Sequence, residues 1–172
     1  LEVKHFLDAW VWKSYFELMG DGITGDIIEF GCGRGPRVAA MNMVGISCDG
    51  IELSQWAVDH KIHERVKQGD ILTYRDDVHS KYKVAMAYDV LEHIDYDDLD
   101  KAIETLKIHA YEFVLISVPV IGDPNLDKDP THKIRETKDW WMSKMLAHGL
   151  NVIQTPQHFF FHQQIILCKV RR

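Results

Sequence analysis

Residues 27–35, Ile27-Ile28-Glu29-Phe30-Gly31-Cys32-Gly33-Arg34-Gly35, carry the reading that decides the fold. Two apolar residues, Ile27 and Ile28, lead into the acidic Glu29, and glycine then recurs at alternate positions: Gly31, Gly33 and Gly35. A strand that empties into such a turn exposes bare backbone to a ligand, because glycine accepts positive φ and has no Cβ to block the approach. Pro36 follows at once and suits the first turn of a helix. The unit reads strand, Gly-rich turn, helix, which is the nucleotide-binding corner of an open α/β sheet.

The spacing narrows the ligand. A dinucleotide fingerprint needs G-x-G-x-x-G. Here Gly31-x-Gly33 meets Pro36 where the third glycine would stand. A P-loop needs G-x-x-x-x-G-K-[ST], and the chain contains no Gly-Lys-Ser or Gly-Lys-Thr. What remains is E-x-G-x-G-x-G, against which stands the plainer reading of a tight turn of small residues with no ligand. The motif resembles motif I of the class I S-adenosylmethionine-dependent methyltransferases.

Three further segments extend the resemblance. Residues 46–54, Ile-Ser-Cys-Asp-Gly-Ile-Glu-Leu-Ser, form a second short apolar strand ending at Glu52, 23 residues after Glu29. An acidic residue at the end of the second strand is where a βαβ unit accepts hydrogen bonds from ribose hydroxyls. The Gly50-Ile51-Glu52-Leu53-Ser54 run is similar to the segment the family carries there. Gln68-Gly69-Asp70-Ile71 resembles the family's third-strand element, in which a carboxylate and the next backbone amide meet the adenine edge. Residues 83–94, closing with Leu91-Glu92-His93, look like its fourth strand and following turn.

The resemblance covers residues 23–120 well and the remainder in outline. It implies a Rossmann-like α/β fold: a mostly parallel seven-stranded sheet, helices on both faces and a C-terminal antiparallel hairpin. It also implies S-adenosylmethionine as cofactor, contacted by Glu29, Gly31, Cys32, Gly33, Gly35, Glu52, Leu53, Asp70, Ile71 and Tyr88.

Composition agrees. At 172 residues and 46% hydrophobic the chain suits one domain, residues 1–172, with a real core. Within it we expect an N-terminal helix in 1–20, a cofactor-binding half in 23–94 and an acceptor-side half in 95–172. No apolar run approaches the ~20 residues that span a bilayer, and no signal-peptide pattern is present. The first residue is Leu1, which weakens any inference about targeting. Three cysteines (Cys32, Cys48, Cys168) lack zinc spacing and point to a reduced, cytoplasmic setting. The net charge of −6 lowers the expectation of a nucleic-acid acceptor, because such enzymes carry basic stripes. The basic residues from Lys61 to Lys67 are interleaved with an acid, and Arg171-Arg172 are terminal.

Along the chain, residues 3–19 space large apolar residues as a helix does. Ser54 can cap the helix after the second strand. Residues 95–110 place Leu99, Ala102, Ile103 and Leu106 on one face. Phe113 to Val120 reads as a buried parallel strand. A loop over 121–135 contains Gly122, Pro124, Asn125 and Pro130. Residues 136–148 return to helix, with Gly149 as its C-cap, and 151–157 and 159–170 form the closing strand pair.

Methyl transfer from a sulfonium needs mainly orientation, since the methyl is already activated and the leaving thioether is neutral. A base is required only for a protonated acceptor. His132, in the loop after the fifth strand, is the candidate for that proton acceptor, against a plainer role in capping a carbonyl. The run from Asp129 to His132 followed by Trp140-Trp141 resembles small bacterial and phage methyltransferases linked to sugar or polysaccharide modification. His93, at a strand–helix junction, reads as a structural hydrogen-bonder. His60 and His63 lack partner ligands and read as a solvated face, so no metal site is expected. Of Trp140 and Trp141, whose indoles point apart on a helix, one should enter the core.

The leading expectation is an enzyme that methylates a hydroxyl or amine of a small molecule or glycan. An RNA, DNA or protein methyltransferase is the second. The Asn/Asp-Pro-Pro-Tyr element of amino methylation is replaced here by Tyr88-Asp89-Val90-Leu91, which argues against DNA bases. A non-catalytic cofactor-binding subunit is the third. The oligomeric state and the methylated atom have no signature in the chain.

Overall fold

A computed structural model describes residues 26–75, 82–155 and 164–171. The helix expected over 3–19 lies outside the described residues, as do residues 156–163 of the closing hairpin.

Among the described residues seven strands form one sheet: β1 (Ile27–Phe30), β2 (Cys48–Glu52), β3 (Val66–Gln68), β4 (Tyr82–Tyr88), β5 (Ala110–Val118), β6 (Leu150–Gln154) and β7 (Gln164–Val170). Their order is β3-β2-β1-β4-β5-β7-β6. The first five run parallel, and β7 is antiparallel to both β5 and β6. This is the mostly parallel sheet with a C-terminal antiparallel pair that the sequence led us to expect. From β1 the chain runs outward through β2 to β3, then returns to place β4 on the other side of β1. The strand order therefore reverses between β1 and β4, and a crevice opens beyond their carboxyl ends, where open α/β sheets bind ligands.

The β1 side chains are all buried, as a central parallel strand covered on both faces requires. Helix α1 (Pro36–Met43) covers one face, where Val38, Met41, Cys48, Val84, Met86 and Leu115 pack together. Helices α3 (Leu99–His109) and α4 (Lys138–Ala147) cover the other face, inserting Leu99, Ile103, Leu106, Trp141 and Met145 against Phe30, Ala85 and Val114. Short helix α2 (Gln55–Asp59) starts at Ser54, whose side chain accepts a bond from the Ala57 amide. Thr137 caps α4 in the same way through the Trp140 amide, which places the start of that helix two residues later than its hydrophobic pattern suggests. Trp141 is fully buried while Trp140 is partly exposed, so one indole of the pair enters the core. No described helix is long and apolar enough to cross a membrane. All three cysteines are buried and unpaired, and burial pushes the Cys168 thiol up to about 12.

Candidate active site

The turn after β1 is built from left-handed backbone. Gly31, Gly33 and Gly35 have φ of 70°, 58° and 81°, and Pro36 then opens α1. The Gly31 amide donates to the Ile51 carbonyl at 2.7 Å, which ties the turn to β2. A Cβ on Gly31 would fall 2.2 Å from Val90 Cγ2, so glycine is needed there for space as well as for φ.

Glu52 ends β2 with its carboxylate held by two backbone amides. Oε2 accepts from Gly33 and Oε1 from Ser54, both at 2.8 Å. Each oxygen keeps a lone pair for an outside donor. Across the crevice, the Asp70 side chain accepts from the Leu72 amide at 2.8 Å and folds residues 70–74 into a turn. These elements wall a cavity of about 380 Å³, lined by Gly31, Glu52, Leu53, Asp70 and Ile71 and also by Asp89, Val90, His93 and Lys133.

Five of the ten residues expected at the cofactor line this cavity, and five do not. Glu29 is buried behind the turn and ion-paired to Arg37, with its second oxygen unpartnered among the described residues. Burial raises its carboxyl above the ordinary value, although Arg37 pulls the other way. Cys32 packs toward Gly50 in the α1-side core, where burial pushes its thiol up. Gly33 orients Glu52 and Gly35 starts α1, so both shape the turn from outside the cavity. Tyr88 belongs to the α1-side core, with the Arg37 guanidinium 3.9 Å above its ring. Strand pleating turns it away, and the residues just past the strand end, Asp89 and Val90, face the crevice instead. Asp89 does so with φ 59°, a left-handed conformation that a non-glycine residue adopts at a cost. Sequence reasoning missed Asp89; an acid just beyond a central strand of this fold was the available signal.

A second cavity, of about 510 Å³, adjoins the first through Asp89 and His93, which line both. His132 lies there, its side chain 8% exposed. Its Nδ1 meets the Leu126 carbonyl at 3.0 Å, and a carbonyl only accepts, so Nδ1 carries the proton and Nε2 the lone pair in the neutral ring. That Nε2 is 4.0 Å from Glu92 Oε1 and 4.0 Å from Asp129 Oδ2. Burial first, then the neighbouring Asp89 charge, pushes the Glu92 carboxyl up to about 8. His93 bonds Thr131 at 2.9 Å, while His60 stacks on Trp56 away from either cavity.

A parallel sheet with reversed strand order, a Gly-rich first turn and an acid closing the second strand defines the class I methyltransferase architecture. The chain belongs to that class: the family described as a methyltransferase domain matches residues 12–163. It is an S-adenosylmethionine-dependent enzyme, and S-adenosylmethionine is its cofactor. Among solved structures, an S-adenosylmethionine-dependent methyltransferase from Clostridium acetobutylicum superposes with TM-score 0.76, covering 100% of this chain and 93% of its own at 12% identity. Magnesium protoporphyrin IX methyltransferase from Synechocystis, with S-adenosylhomocysteine bound, gives TM-score 0.73 over 98% of this chain and 84% of its own at 15% identity. The glycopeptide N-methyltransferase MtfA gives 0.73 over 97% and 90% at 12% identity. No curated protein matches the chain by sequence.

Proposed function

We propose that this methyltransferase acts on a hydroxyl or amine of a small molecule or glycan, within the cell. The observation that carries the reading is the pair of adjoining cavities that share Asp89 and His93. The first suits the cofactor. Glu52, pinned by two amides, takes the ribose hydroxyls, while Asp70 and the Ile71 amide face the adenine. The Gly31 turn lets the amino-acid end lie against backbone. The second suits an acceptor of modest size, and its walls carry the polar groups Asn125, Lys128, Asp129 and His132. Lys128 Nζ already bonds Asn125 Oδ1 at 3.2 Å. His132 serves the acceptor rather than the cofactor, with the lone pair of Nε2 turned to the groups of that cavity.

Calorimetric titration with S-adenosylhomocysteine and with NAD tests the cofactor half of the proposal. We expect binding of the first alone, weakened by Glu52→Ala. Methylation assays over alcohol, sugar, amine, RNA and peptide panels test the acceptor half. Turnover confined to RNA or protein would overturn it.

A further inference from the structure

Glu92, His93 and His132 each bring one ligand-type atom to within 4.8 Å of the others. Glu92 and His93 come from the 3₁₀ turn Leu91–His93 after β4, and His132 comes from the loop before α4. We propose that these three side chains bind one divalent first-row transition-metal ion beside the cofactor cavity. The ion's catalytic use rests on the function proposed above; the site itself does not.

The buried carboxylate is the first support. Glu92 is 0% exposed, and among the described residues neither of its oxygens has a hydrogen-bond partner beyond its own backbone. Leaving a carboxylate buried without donors is costly, and a native protein seldom does so without a reason. A cation bound between the oxygens and the imidazoles supplies the missing partner.

The imidazoles are the second. Leu126 holds the His132 ring through Nδ1 and leaves Nε2 as the electron-pair donor. His93 is set the same way by a relay. The Thr131 hydroxyl donates its only proton to Asp129 Oδ1 at 2.6 Å, so it must accept from His93 Nδ1 at 2.9 Å. Both rings thus have the outer hydrogen bond that metal-ligating histidines use to fix tautomer and orientation. The rings meet edge-on, 4.8 Å between centroids.

Space is the third. The 510 Å³ cavity opens on all three residues and leaves further coordination positions for water or an acceptor oxygen. Ligand atoms around a tetrahedral ion with bonds of about 2.1 Å lie about 3.4 Å apart, so binding would draw the three together by roughly 1 Å. Two imidazoles and one carboxylate favour Mn²⁺, Fe²⁺, Co²⁺ or Zn²⁺ over Ca²⁺ or Mg²⁺, which prefer oxygen ligands.

An acceptor hydroxyl bound to such an ion gives up its proton to water more readily. Its oxygen then forms the new C–O bond as the C–S bond breaks, and the sulfur keeps that electron pair and leaves as a neutral thioether. In this arrangement His132 Nε2 is a metal ligand, and lowering the hydroxyl pKa falls to the ion.

The test is titration of metal-free, tag-free protein with Co²⁺, followed by its visible absorption, and with Mn²⁺, followed by electron paramagnetic resonance. We expect one equivalent per chain, weakened about 10- to 100-fold by Thr131→Val and at least as much by His93→Ala, His132→Ala or Glu92→Gln. S-adenosylhomocysteine binding by the same samples reports that the variants are folded. Cofactor product bound without Co²⁺, or Co²⁺ bound equally by parent and folded variants, overturns the metal site and leaves the methyltransferase reading standing. Co²⁺ bound at one equivalent while hydroxyl acceptors stay unmethylated supports the site and overturns its catalytic use.

Discussion

The amide of Gly33 donates a 2.8 Å hydrogen bond to Glu52 Oε2, joining the turn after β1 to the end of β2 across 19 residues. The Ser54 amide holds the other oxygen. The two contacts orient a carboxylate that would otherwise swing freely at the cavity rim. Charge-assisted hydrogen bonds contribute about 1.5–3 kcal/mol. Glu52→Ala should therefore weaken S-adenosylhomocysteine binding by roughly 10- to 100-fold, read by calorimetry. Unchanged affinity in the folded variant would remove Glu52 from the cofactor site.

Gly31 is constrained twice over, by its φ of 70° and by the Val90 side chain that a Cβ would strike at 2.2 Å. Gly31→Ala should destabilise the fold by about 1–3 kcal/mol, the scale of one strained residue. Adding Val90→Ala should relieve the collision but not the dihedral strain. Chemical denaturation of the parent, Gly31→Ala, Val90→Ala and the double variant measures both parts. Full recovery in the double variant would show that φ costs nothing here.

His132 faces the second cavity, so His132→Ala should leave S-adenosylhomocysteine affinity within a factor of about two. Turnover on a hydroxyl acceptor should fall about 10²-fold or more, whether His132 takes the acceptor's proton itself or holds the ion that acidifies the hydroxyl. Single-turnover kinetics at saturating cofactor provide the measurement. A parallel loss of cofactor affinity would place His132 in the cofactor site after all.

Asp100 on α3 couples that helix to α4. Its Oδ1 meets Lys144 and, at 3.0 Å, His148 Nε2, whose Nδ1 contacts Glu104 at 2.8 Å. The Lys144 hydrogen bond first, then that from His148, holds the Asp100 carboxyl below its ordinary value. A depressed carboxylate stabilises the fold above its unfolded pKa, about 3.9, and that contribution disappears as pH falls through the lower folded value. Asp100→Asn should thus lower Tm at neutral pH by an amount that shrinks toward pH 3. The side chain is solvent-exposed, so the effect should stay below about 1 kcal/mol. A Tm difference independent of pH would exclude the carboxylate's charge as its cause.

Local grammar carried much of the architecture. The alternating glycines and Pro36 announced the first turn, and Ser54 announced a helix start that the Ala57 amide completes. Gly149, at φ 74°, ends α4 where a left-handed residue was expected. These features follow from one residue's own conformational range and its nearest neighbours, so a linear pattern records them. Strand limits were less legible. β5 begins at Ala110, three residues before the apolar run suggests, because Ala110 pairs with Tyr82 of β4 across a register shift that takes in Tyr111 and Glu112.

The sequence by itself thus determined the class of fold and the cofactor, since both rest on short-range geometry at the ends of β1 and β2. Tertiary structure alone decided which side chains reach the crevice. It turned Tyr88 inward beneath Arg37, brought Asp89 out at the strand end and placed His93 beside His132. The two histidines are far apart in the chain and share no periodicity. They meet because the parallel strands β4 and β5 both end at the crevice and deliver their following segments to the same edge. No pattern of neighbours encodes that meeting, because strand order and register set it across the whole sheet.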